Sequence, residues 1–356
     1  MDSDIVRATR SYETWLASKT RVVSAGLRLK HVKMSESPFL FLRGTFYRWI
    51  QQWSALPASL IGAPGVIAVG DLHVENFGTW RDAEGRLIWG VNDVDEACVL
   101  PYTQDLVRLA TSACLAVREG HFKLSNRVVC GAILEGYAAC MARGNRAVVL
   151  EERHAWLRRV ALSDLRDPQV YWTALQKLPL SRGVVPNAVL RAALPAGMTG
   201  YGVHDRVAGV GSLGRQRFVA IAEWAGGKVA REAKAWAPSA ALWAKATPDA
   251  DAGDALLAQA IRAADPCFAI RKPWIVRRLA PDCSRINLSD VPKKTDERKL
   301  LRAMGWEAAN MHGHAARRAV SRDLSARPTR WLLTAASDML DAVVADWRAW
   351  KRASQH

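Results

Sequence analysis

The pattern of apolar and polar positions in the first part of the chain predicts helices followed by short buried strands. Residues 4–28 carry apolar side chains at helical spacing, interleaved with Arg and Lys, which is typical of a basic amphipathic helix or a pair of helices. Pro38 interrupts this pattern. Apolar runs at 66–69 and 87–91 predict two buried strands, and the polar residues 82–85 predict a turn. We expect the two strands to pair as a hairpin.

The rest of the pattern predicts an irregular segment, a group of strands and several helices. Residues 149–200 contain four prolines and predict short helices and loops. A glycine-rich stretch at 206–214 passes into a strand, and Gly226-Gly227 turns that strand into a second one. The predicted helices span 103–117, 125–142, 254–264, 297–318 and 329–352, and a further strand spans 274–279. Together these elements predict an α+β fold.

Composition narrows the class of protein. Half of the 356 residues are apolar, so the chain can bury a large core, and we expect two lobes or domains. No apolar run is long enough to span a membrane, and Met1-Asp2-Ser3-Asp4 lacks the basic and then apolar order of a signal peptide. The six cysteines form no Cys-x-x-Cys pair, which argues against a zinc site or a disulfide framework. We therefore predict a soluble, cytoplasmic protein.

The charge of the chain predicts an affinity for polyanions. Its net charge is +16, from 50 Lys and Arg against 34 Asp and Glu, and nucleic acid, nucleotides and acidic membrane surfaces all fit this charge. The basic residues are scattered and match no nucleic-acid-binding motif, which favours solubility and attraction of phosphate over nucleic-acid binding. The 15 Trp stand singly among apolar helical positions, as core residues do.

Two acidic segments follow the strands predicted at 66–69 and 87–91. They are Val69-Gly70-Asp71-Leu72-His73-Val74-Glu75-Asn76 and Asn92-Asp93-Val94-Asp95. In phosphoryl transfer, one carboxylate accepts or orients the proton of the attacking hydroxyl, while an amide oxygen and a second carboxylate hold magnesium against the phosphates. Asp71 and Asn76 have the spacing of the protein kinase catalytic loop, and Asp93 then stands at the place of the metal-binding Asp. The motif Gly-Asp-Leu-His-x-x-Asn is more similar to that of aminoglycoside and choline phosphotransferases than to that of protein kinases.

A purely local interpretation of this segment is the alternative. Asp71 and Asn76 would then cap a turn, and the later aspartates would be solvated. The ordered set favours the functional interpretation, in which Asp71 is the base and Asn76 and Asp93 are metal ligands. The set consists of Asp71, His73, Asn76, Asp93 and Asp105.

Four side chains near this motif have two interpretations each. His73 orders the loop or faces a phosphate, and Asp95 is a second metal ligand or binds a cationic substrate. Asp105, in the first turn of the helix predicted at 103–117, braces the catalytic loop through backbone donors or satisfies its own helix N-terminus. Arg43 contacts phosphate at the edge of the site or forms a surface ion pair.

The glycine-rich stretch is expected to cover the phosphates, because glycines let a backbone approach phosphate closely. Its loop residues are Gly209, Gly211, Ser212 and Gly214. A lysine from the following strands would neutralise the phosphates. We favour Lys234 for this role, although Arg231 stands at the more usual distance from the glycines.

The glutamate that pairs with this lysine in kinases is missing from the helix predicted at 254–264. Asp254 or Gln259 would take its place, and this departure raises the alternative of a weakened or inactive enzyme. His312 and His314, in the helix predicted at 297–318, fit interior or interface positions better than ligand positions.

The order of the segments differs from that of protein kinases, in which the glycine loop and the lysine precede the catalytic loop. Here the catalytic loop comes first, and the glycine loop follows well over a hundred residues later. We interpret this order as a circular permutation of a two-lobe protein kinase-like fold. Its parts are an N-terminal helical segment (1–65), the catalytic-loop half of the C-lobe (66–200), a β-rich nucleotide-binding part similar to an N-lobe (201–295) and C-terminal helices that complete the C-lobe (296–356).

Six segments together resemble the bacterial DUF2252 family of unknown function. They are Lys33-Met34-x-x-Ser37-Pro38-Phe39-x-Phe41-x-Arg43-Gly44, Gly70-Asp71-x-His73-x-x-Asn76-Phe77-Gly78, Asn92-Asp93-x-Asp95-Glu96, Gly209-x-Gly211-Ser212-x-Gly214, Arg231-Glu232-Ala233 and Val276-Arg277-x-Leu279. The resemblance spans residues 29–318 and implies a kinase-like phosphotransferase fold without a known substrate. Family members often show Lys-Glu-Ala where this chain has Arg231-Glu232-Ala233, so the cation on the phosphates stays open between Arg231 and Lys234.

The sequence therefore predicts an ATP- and Mg²⁺-dependent phosphotransferase that acts on a hydroxyl group of a small molecule or a protein. The first alternative is a nucleotide-binding pseudokinase with a regulatory or scaffolding role. The second is a basic nucleic-acid-binding protein.

Overall fold

A computed structural model describes residues 4–144, 146–151, 154–163, 167–247, 252–283 and 294–355. These residues form a mixed α and β structure, which confirms the α+β prediction. The α-helices are α1 Asp4–Lys19, α2 Ser24–Glu36, α3 Pro38–Gly44, α4 Phe46–Trp53, α5 Ala58–Ile61, α6 Tyr102–Arg118, α7 Asn126–Arg143, α8 Ala155–Ser163, α9 Pro168–Gln176, α10 Asn187–Ala193, α11 Ala240–Trp243, α12 Gly253–Gln259, α13 Lys294–His312, α14 Arg317–Ala326 and α15 Trp331–Ala353. The strands are β1 Gly65–Ala68, β2 Phe77–Arg81, β3 Leu87–Val91, β4 Cys98–Pro101, β5 Val148–Val149, β6 Gly202–Asp205, β7 Arg217–Trp224, β8 Gly227–Ala235, β9 Ala269–Arg271 and β10 Trp274–Leu279.

The N-terminal helices follow the predicted amphipathic pattern and extend beyond it. The pattern at 4–28 becomes the pair α1 and α2, and α2 continues to Glu36. Ser37 is extended, and its side chain accepts a hydrogen bond from the N–H of Leu40 at 3.2 Å, so it caps α3 with Pro38 in the first turn. The proline therefore marks a helix boundary, as its fixed φ and missing N–H predict.

The prediction that the strands at 66–69 and 87–91 pair with each other as a hairpin is wrong. β1 pairs with β4 in an antiparallel two-stranded sheet, while β3 pairs with β2 and with β5. The predicted turn does exist, but it joins β3 to β2, a strand that the apolar pattern did not reveal. Because β2 begins at Phe77, directly after Asn76, the two acidic segments still meet, at the open end of the β2–β3 hairpin.

The second half of the chain forms a five-stranded antiparallel sheet in the order β6-β7-β8-β10-β9. The predicted Gly-Gly turn joins β7 to β8, and Ala225 and Gly226 at its tip have positive φ angles of 47° and 83°. The glycine-rich loop lies between β6 and β7, as predicted, and forms a short 3₁₀ turn at Val210–Ser212. The strand prediction for 274–279 is confirmed by β10.

The helix predictions hold in kind but differ at several boundaries. The helix predicted at 297–318 ends at His312, because Gly313 takes a positive φ of 66° and breaks the helical path before α14. The helix predicted at 254–264 is shorter and ends at Gln259. Short helices and loops fill the described part of 149–200, as expected.

Helices α7 and α13 cross in close contact through a pair of glycines. A Cβ atom at Gly136 would lie 1.8 Å from the carbonyl oxygen of Arg302, and one at Gly305 would lie 2.0 Å from the carbonyl oxygen of Ile133. The crossing therefore brings backbone against backbone. It positions α13, whose His312 contacts Asp105.

We expect Gly305→Ala to lower the stability of the protein by about 2 kcal/mol or more, since the helices must separate to admit a methyl group. Gly131→Ala is the matched control on α7, because that glycine is exposed and nothing lies within 4 Å of a Cβ there. The control should raise stability by about 0.5–1 kcal/mol. Urea unfolding midpoints measure both effects, and equal midpoints for the two variants would contradict the close crossing.

Candidate functional site

Residues 69–76, the predicted catalytic segment, begin where β1 ends, and Asp105 of α6 holds the first two of them. The Asp105 carboxylate accepts hydrogen bonds from the N–H of Val69 at 2.7 Å and of Gly70 at 2.9 Å. His312 Nε2 lies 3.0 Å from the same carboxylate, and both side chains are fully buried. Of the two predicted roles for Asp105, the contacts are those of a brace for the loop.

Gly70 is required for this path of the chain. It has a φ of +79°, and a Cβ atom there would lie 2.3 Å from the carbonyl oxygen of Glu96. His312 is an interior residue, as predicted, and its Nδ1 lies 2.8 Å from the hydroxyl of Tyr137. His314 is exposed.

Asn76 joins the two acidic segments. Its Nδ2 donates to the carbonyl oxygens of Asp71 at 3.1 Å and Asp93 at 2.9 Å, and its Oδ1 accepts the N–H of Asp93 at 2.8 Å. The side chain is buried, and these three bonds fix the distance between the Asp71 loop and the Asp93 loop. Asn76 thus acts as a clamp between the two segments.

Asp71 faces a buried arginine that the sequence did not single out. Arg108 of α6 donates from Nε to Asp71 Oδ1 at 2.7 Å and from Nη2 to the carbonyl oxygen of Leu42 at 2.9 Å. Its guanidinium lies 5.1 Å from the ring centroid of Phe46 and 4.9 Å from that of Trp49. Arg108 follows Asp105 by three residues, so helical spacing was a signal that the two side chains share one face.

Lys234 reaches the acidic cluster from β8. Its ammonium lies 3.2 Å from each carboxylate oxygen of Asp93 and 2.5 Å from Asp95 Oδ2. Arg215 binds the same Asp95 oxygen at 2.7 Å. Burial opposes ionisation of Asp95, but Lys234 and Arg215 outweigh it and hold the pKa of its carboxyl well below the ordinary value.

Arg231 lies on the other face of β8. Residues 231 and 234 are an odd number of positions apart in the strand, so their side chains point to opposite sides of the sheet. Arg231 donates from Nε to the carbonyl oxygen of Ala193 at 2.8 Å. Of the two cations predicted for the phosphates, the structure brings Lys234 to Asp93 and does not bring Arg231.

The residues predicted to pair with this lysine lie elsewhere. Asp254 is exposed, and Gln259 donates weakly to the carbonyl oxygens of Ile67 and Met311, both at 3.4 Å. The carboxylates on Lys234 are those of Asp93 and Asp95.

The glycine loop passes over Asp71. A Cβ atom at Gly211 would lie 3.1 Å from the carbonyl oxygen of Arg43 and 3.7 Å from Asp71 Oδ2. Gly209 and Gly214 have positive φ angles of 76° and 94°. Ser212 accepts a hydrogen bond from Arg217 Nη2 at 2.7 Å. All four predicted loop residues therefore lie beside the catalytic segment or shape the turn that reaches it.

The N-terminal helices hold this loop from outside. The N–H of Val23 donates to the carbonyl oxygen of Gly214 at 2.7 Å, and Leu27 packs where a Cβ of Gly214 would lie. Lys30 of α2 is buried, with Nζ 3.4 Å from the carbonyl oxygen of Gly211. Burial lowers the pKa of Lys30 to about 8.

Two further predicted residues lie at the wall of the same cavity. Arg43 Nη1 is 2.5 Å from Glu75 Oε2, so the ion-pair interpretation of Arg43 matches its contact, although the pair is largely buried. His73 is buried, and its Nδ1 accepts the N–H of Glu75 at 3.2 Å, a contact that orders the loop.

These side chains line a cavity of about 700 Å³. Its wall includes Lys30, Arg43, Asp71, His73, Asn76, Asp93, Asp95, Gly209, Gly211, Ser212 and Arg215. Among the described residues, no group of three or more His, Cys, Asp or Glu side chains is arranged to hold a metal ion.

The predicted metal ligands Asp93 and Asp95 differ in how accessible their carboxylates are. The Asp93 carboxylate is 46% exposed and open to the cavity, whereas Asp95 is enclosed by Lys234 and Arg215. Magnesium takes one or two protein carboxylates and completes its shell with water and phosphate oxygens, so Asp93 fits the role of its protein ligand. The Asn76 side-chain oxygen is also a hard donor beside Asp93, and it accepts the Asp93 N–H at 2.8 Å.

Fold and site define a mixed α and β protein with a deep, charged cavity between helices and a five-stranded sheet. Residues 21–175 match the family model described as "Uncharacterized protein conserved in bacteria (DUF2252)". The match covers both acidic segments and helix α6, while the glycine loop, Lys234 and helix α13 lie beyond it. Comparisons with curated proteins and with solved structures gave no match. None of the helices in the described ranges is sufficiently long and apolar to cross a membrane.

Glu307 of α13 is a buried carboxyl group behind the β2–β3 hairpin. Its Oε2 accepts a hydrogen bond from Asn310 Nδ2 at 2.8 Å, and its Oε1 lies 3.4 Å from the backbone nitrogen of Val91. Gly90 leaves the space for it, since a Cβ there would lie 2.2 Å from Oε1. Burial raises the pKa of Glu307 to about 7, and these hydrogen bonds only partly oppose the rise.

We expect Glu307→Gln to stabilise the protein at neutral pH but not at acid pH. The carboxyl is neutral in both folded and unfolded chains below about pH 4.5, and its buried charge penalises the folded state in full only above about pH 7. The stability gained by the variant should therefore grow between these pH values by about 3 kcal/mol. Urea unfolding of both proteins from pH 4.5 to 8 measures this, and parallel pH profiles would contradict it.

Proposed function

We propose that this chain is an ATP- and Mg²⁺-dependent phosphotransferase that acts on a hydroxyl group of a small molecule or a protein. The observation that carries the proposal is that Asp71, Asn76 and Asp93 line one cavity, with a glycine loop that passes over Asp71. Lys234 of β8 binds Asp93 in this arrangement. Phosphoryl transfer needs little covalent chemistry from a protein, so positioning and charge neutralisation suffice.

The position of each residue suggests its role in phosphoryl transfer. Asp71, 19% exposed and held by Arg108, would orient the acceptor hydroxyl and accept its proton. Asp93 would hold magnesium, which supplies neutralisation of the phosphate charge when bound. Lys234 pairs with both aspartates of the second segment and holds them in place. Asn76 and Asp105 keep the two loops in register.

We also propose that the fold is kinase-like and circularly permuted. The chain order supports this proposal, because the Asp71 loop, the β2–β3 hairpin, Asp93 and the brace Asp105 precede the glycine loop and Lys234. The Asp71 loop, Asp93 and the glycine loop nevertheless line one cavity, and Lys234 binds Asp93. A sheet that supplies a lysine and a helical part that supplies the acidic loops then form the two sides of the site.

A nucleotide-binding pseudokinase is the second candidate. It is favoured by one contact, since Lys234 binds Asp93 and Asp95 in place of a glutamate from a helix. In such a protein the lysine–aspartate pairs would persist when nucleotide binds, and no phosphoryl group would be transferred.

Thermal unfolding with ATP and Mg²⁺ tests the nucleotide site. We expect saturating ATP with Mg²⁺ to stabilise the wild type, by about 2.7 kcal/mol at a hundredfold excess over Kd. Asp93→Asn should lose the part of the rise in Tm that depends on Mg²⁺, because it removes the open carboxylate. No rise in any variant would count against both candidates, and retention of DNA or RNA at about 0.15 M salt would then favour nucleic-acid binding.

Turnover separates the enzyme from the pseudokinase. Asp71→Asn should keep the rise in Tm with ATP and Mg²⁺ but lose the slow release of phosphate from ATP, with water as acceptor, by about a hundredfold or more. Asp254→Asn, at an exposed position of α12, is a charge-matched control that should behave as wild type. Binding without turnover in the wild type, unchanged by Asp71→Asn, would favour the pseudokinase.

A further inference from the structure

Three arginines converge on one buried glutamate in the five-stranded sheet. Glu232 of β8 is fully buried, and its Oε1 accepts hydrogen bonds from Arg217 Nη1 at 2.6 Å and Arg277 Nε at 2.7 Å. Arg206 Nη1 contacts Oε2. We call these four residues the Glu232 cluster.

The strand register explains why they meet. Arg277 of β10 stands directly opposite Glu232, and Arg217 of β7 stands opposite Lys234, two residues further along β8. Side chains two residues apart in a strand share a face, so Glu232, Lys234 and both strand arginines lie on the side of the sheet that faces the cavity. Arg206 joins them just after β6.

The Glu232 cluster carries two positive charges in excess. Three guanidinium groups share one carboxylate, and these groups hold the pKa of Glu232 well below its ordinary value in spite of burial. The arginine side chains are only 21%, 4% and 25% exposed at positions 206, 217 and 277. Charges so far removed from water are costly unless they are paired.

Neighbouring acidic groups offset this excess only in part, through the attraction of Asp93 and Asp95 for Arg277. Asp93 and Asp95 are the nearest carboxylates of the acidic segment, and Lys234 and Arg215 already balance them. Arg206 and Arg277 each use a single nitrogen on Glu232, and among the described residues their other guanidinium nitrogens make no hydrogen bond. These donors are at the cavity wall.

The Glu232 cluster is also tied to the glycine loop. Arg217 bonds Glu232 through Nη1 and Ser212 Oγ through Nη2, at 2.6 and 2.7 Å. The residues Arg206, Gly209, Gly211, Ser212, Arg217 and Arg277 line the same cavity. Free guanidinium donors and a glycine backbone therefore face one space, the combination that recognises adjacent phosphate groups.

We propose that Arg206 and Arg277, held in place by Glu232, bind two adjacent phosphate groups of a polyphosphate. Arg217 positions Ser212 and the glycine loop against the same groups. This inference rests on the proposed function and deepens it, because it assigns the polyphosphate of the donor to arginines, while Lys234 serves the aspartates. Nucleoside triphosphate and inorganic polyphosphate share this chemistry.

Binding of sodium tripolyphosphate, ATP and adenosine, measured by titration calorimetry at constant ionic strength, tests the proposal. Arg277→Gln and Arg206→Gln should each raise the Kd for tripolyphosphate and for ATP by about tenfold or more, through loss of a charge-assisted hydrogen bond. Each variant leaves two arginines on Glu232, so the buried carboxylate stays paired. Arg271→Gln, an exposed position on β9 of the same sheet, is the charge-matched control and should stay within about twofold of wild type.

The results of these titrations distinguish failure of the polyphosphate site from failure of the proposed phosphotransferase activity. Wild-type affinities in both cluster variants, or a wild type that binds neither tripolyphosphate nor ATP, would overturn the polyphosphate site. Arginine-dependent binding without any phosphate release from ATP would support the site and count against the enzyme. Tighter binding of ATP than of tripolyphosphate would identify the nucleotide as the source, and equal affinities would identify inorganic polyphosphate; both support the site.

Discussion

One buried carboxylate, that of Asp105, sets the position of the catalytic segment. A carboxylate inside a protein is stable only when its oxygens are satisfied, and here two backbone N–H groups and an imidazole do so. The loop therefore leaves β1 in one direction, Asp71 arrives beside Arg108, and Asn76 closes the segment against Asp93. Removing the brace would release the loop while leaving the aspartates themselves intact.

The cavity is organised by paired charges. Asp71 meets Arg108, and Glu75 meets Arg43. Asp93 and Asp95 share Lys234, and Asp95 also binds Arg215. Such pairs hold side chains in fixed positions at the expense of desolvation, which suits a site that works by positioning. Against this balanced background, the excess of positive charge at Glu232 gives the cavity a local preference for anions.

Local patterns predicted the parts of the site, but not how the strands connect them. Asp71, Asn76, Asp93 and Asp105 were found because their spacing reflects short loops and one helical turn. The hairpin was misassigned because β2 has no apolar run to distinguish it, and a strand's partner is not encoded in its own pattern. Arg108 was missed for a related reason, since an arginine binds a distant carboxylate only once the sheet and helices have formed. Glu232 and Arg277 were named in the family segments, but their contact was not predicted. The predicted roles, the nucleotide and the metal remain predictions.

The hydrogen bond between His312 and Asp105 joins residues 207 positions apart, and that between Lys30 and Gly211 joins residues 181 apart. The entropy of closing such long loops grows only with the logarithm of their length, so the native state loses little by it. Folding rates, however, fall as contacts become more distant in sequence. During synthesis, the catalytic segment leaves the ribosome long before the helix that completes its brace. The site therefore cannot be completed until most of the chain has been synthesised, although its central residues lie in the first third of the chain.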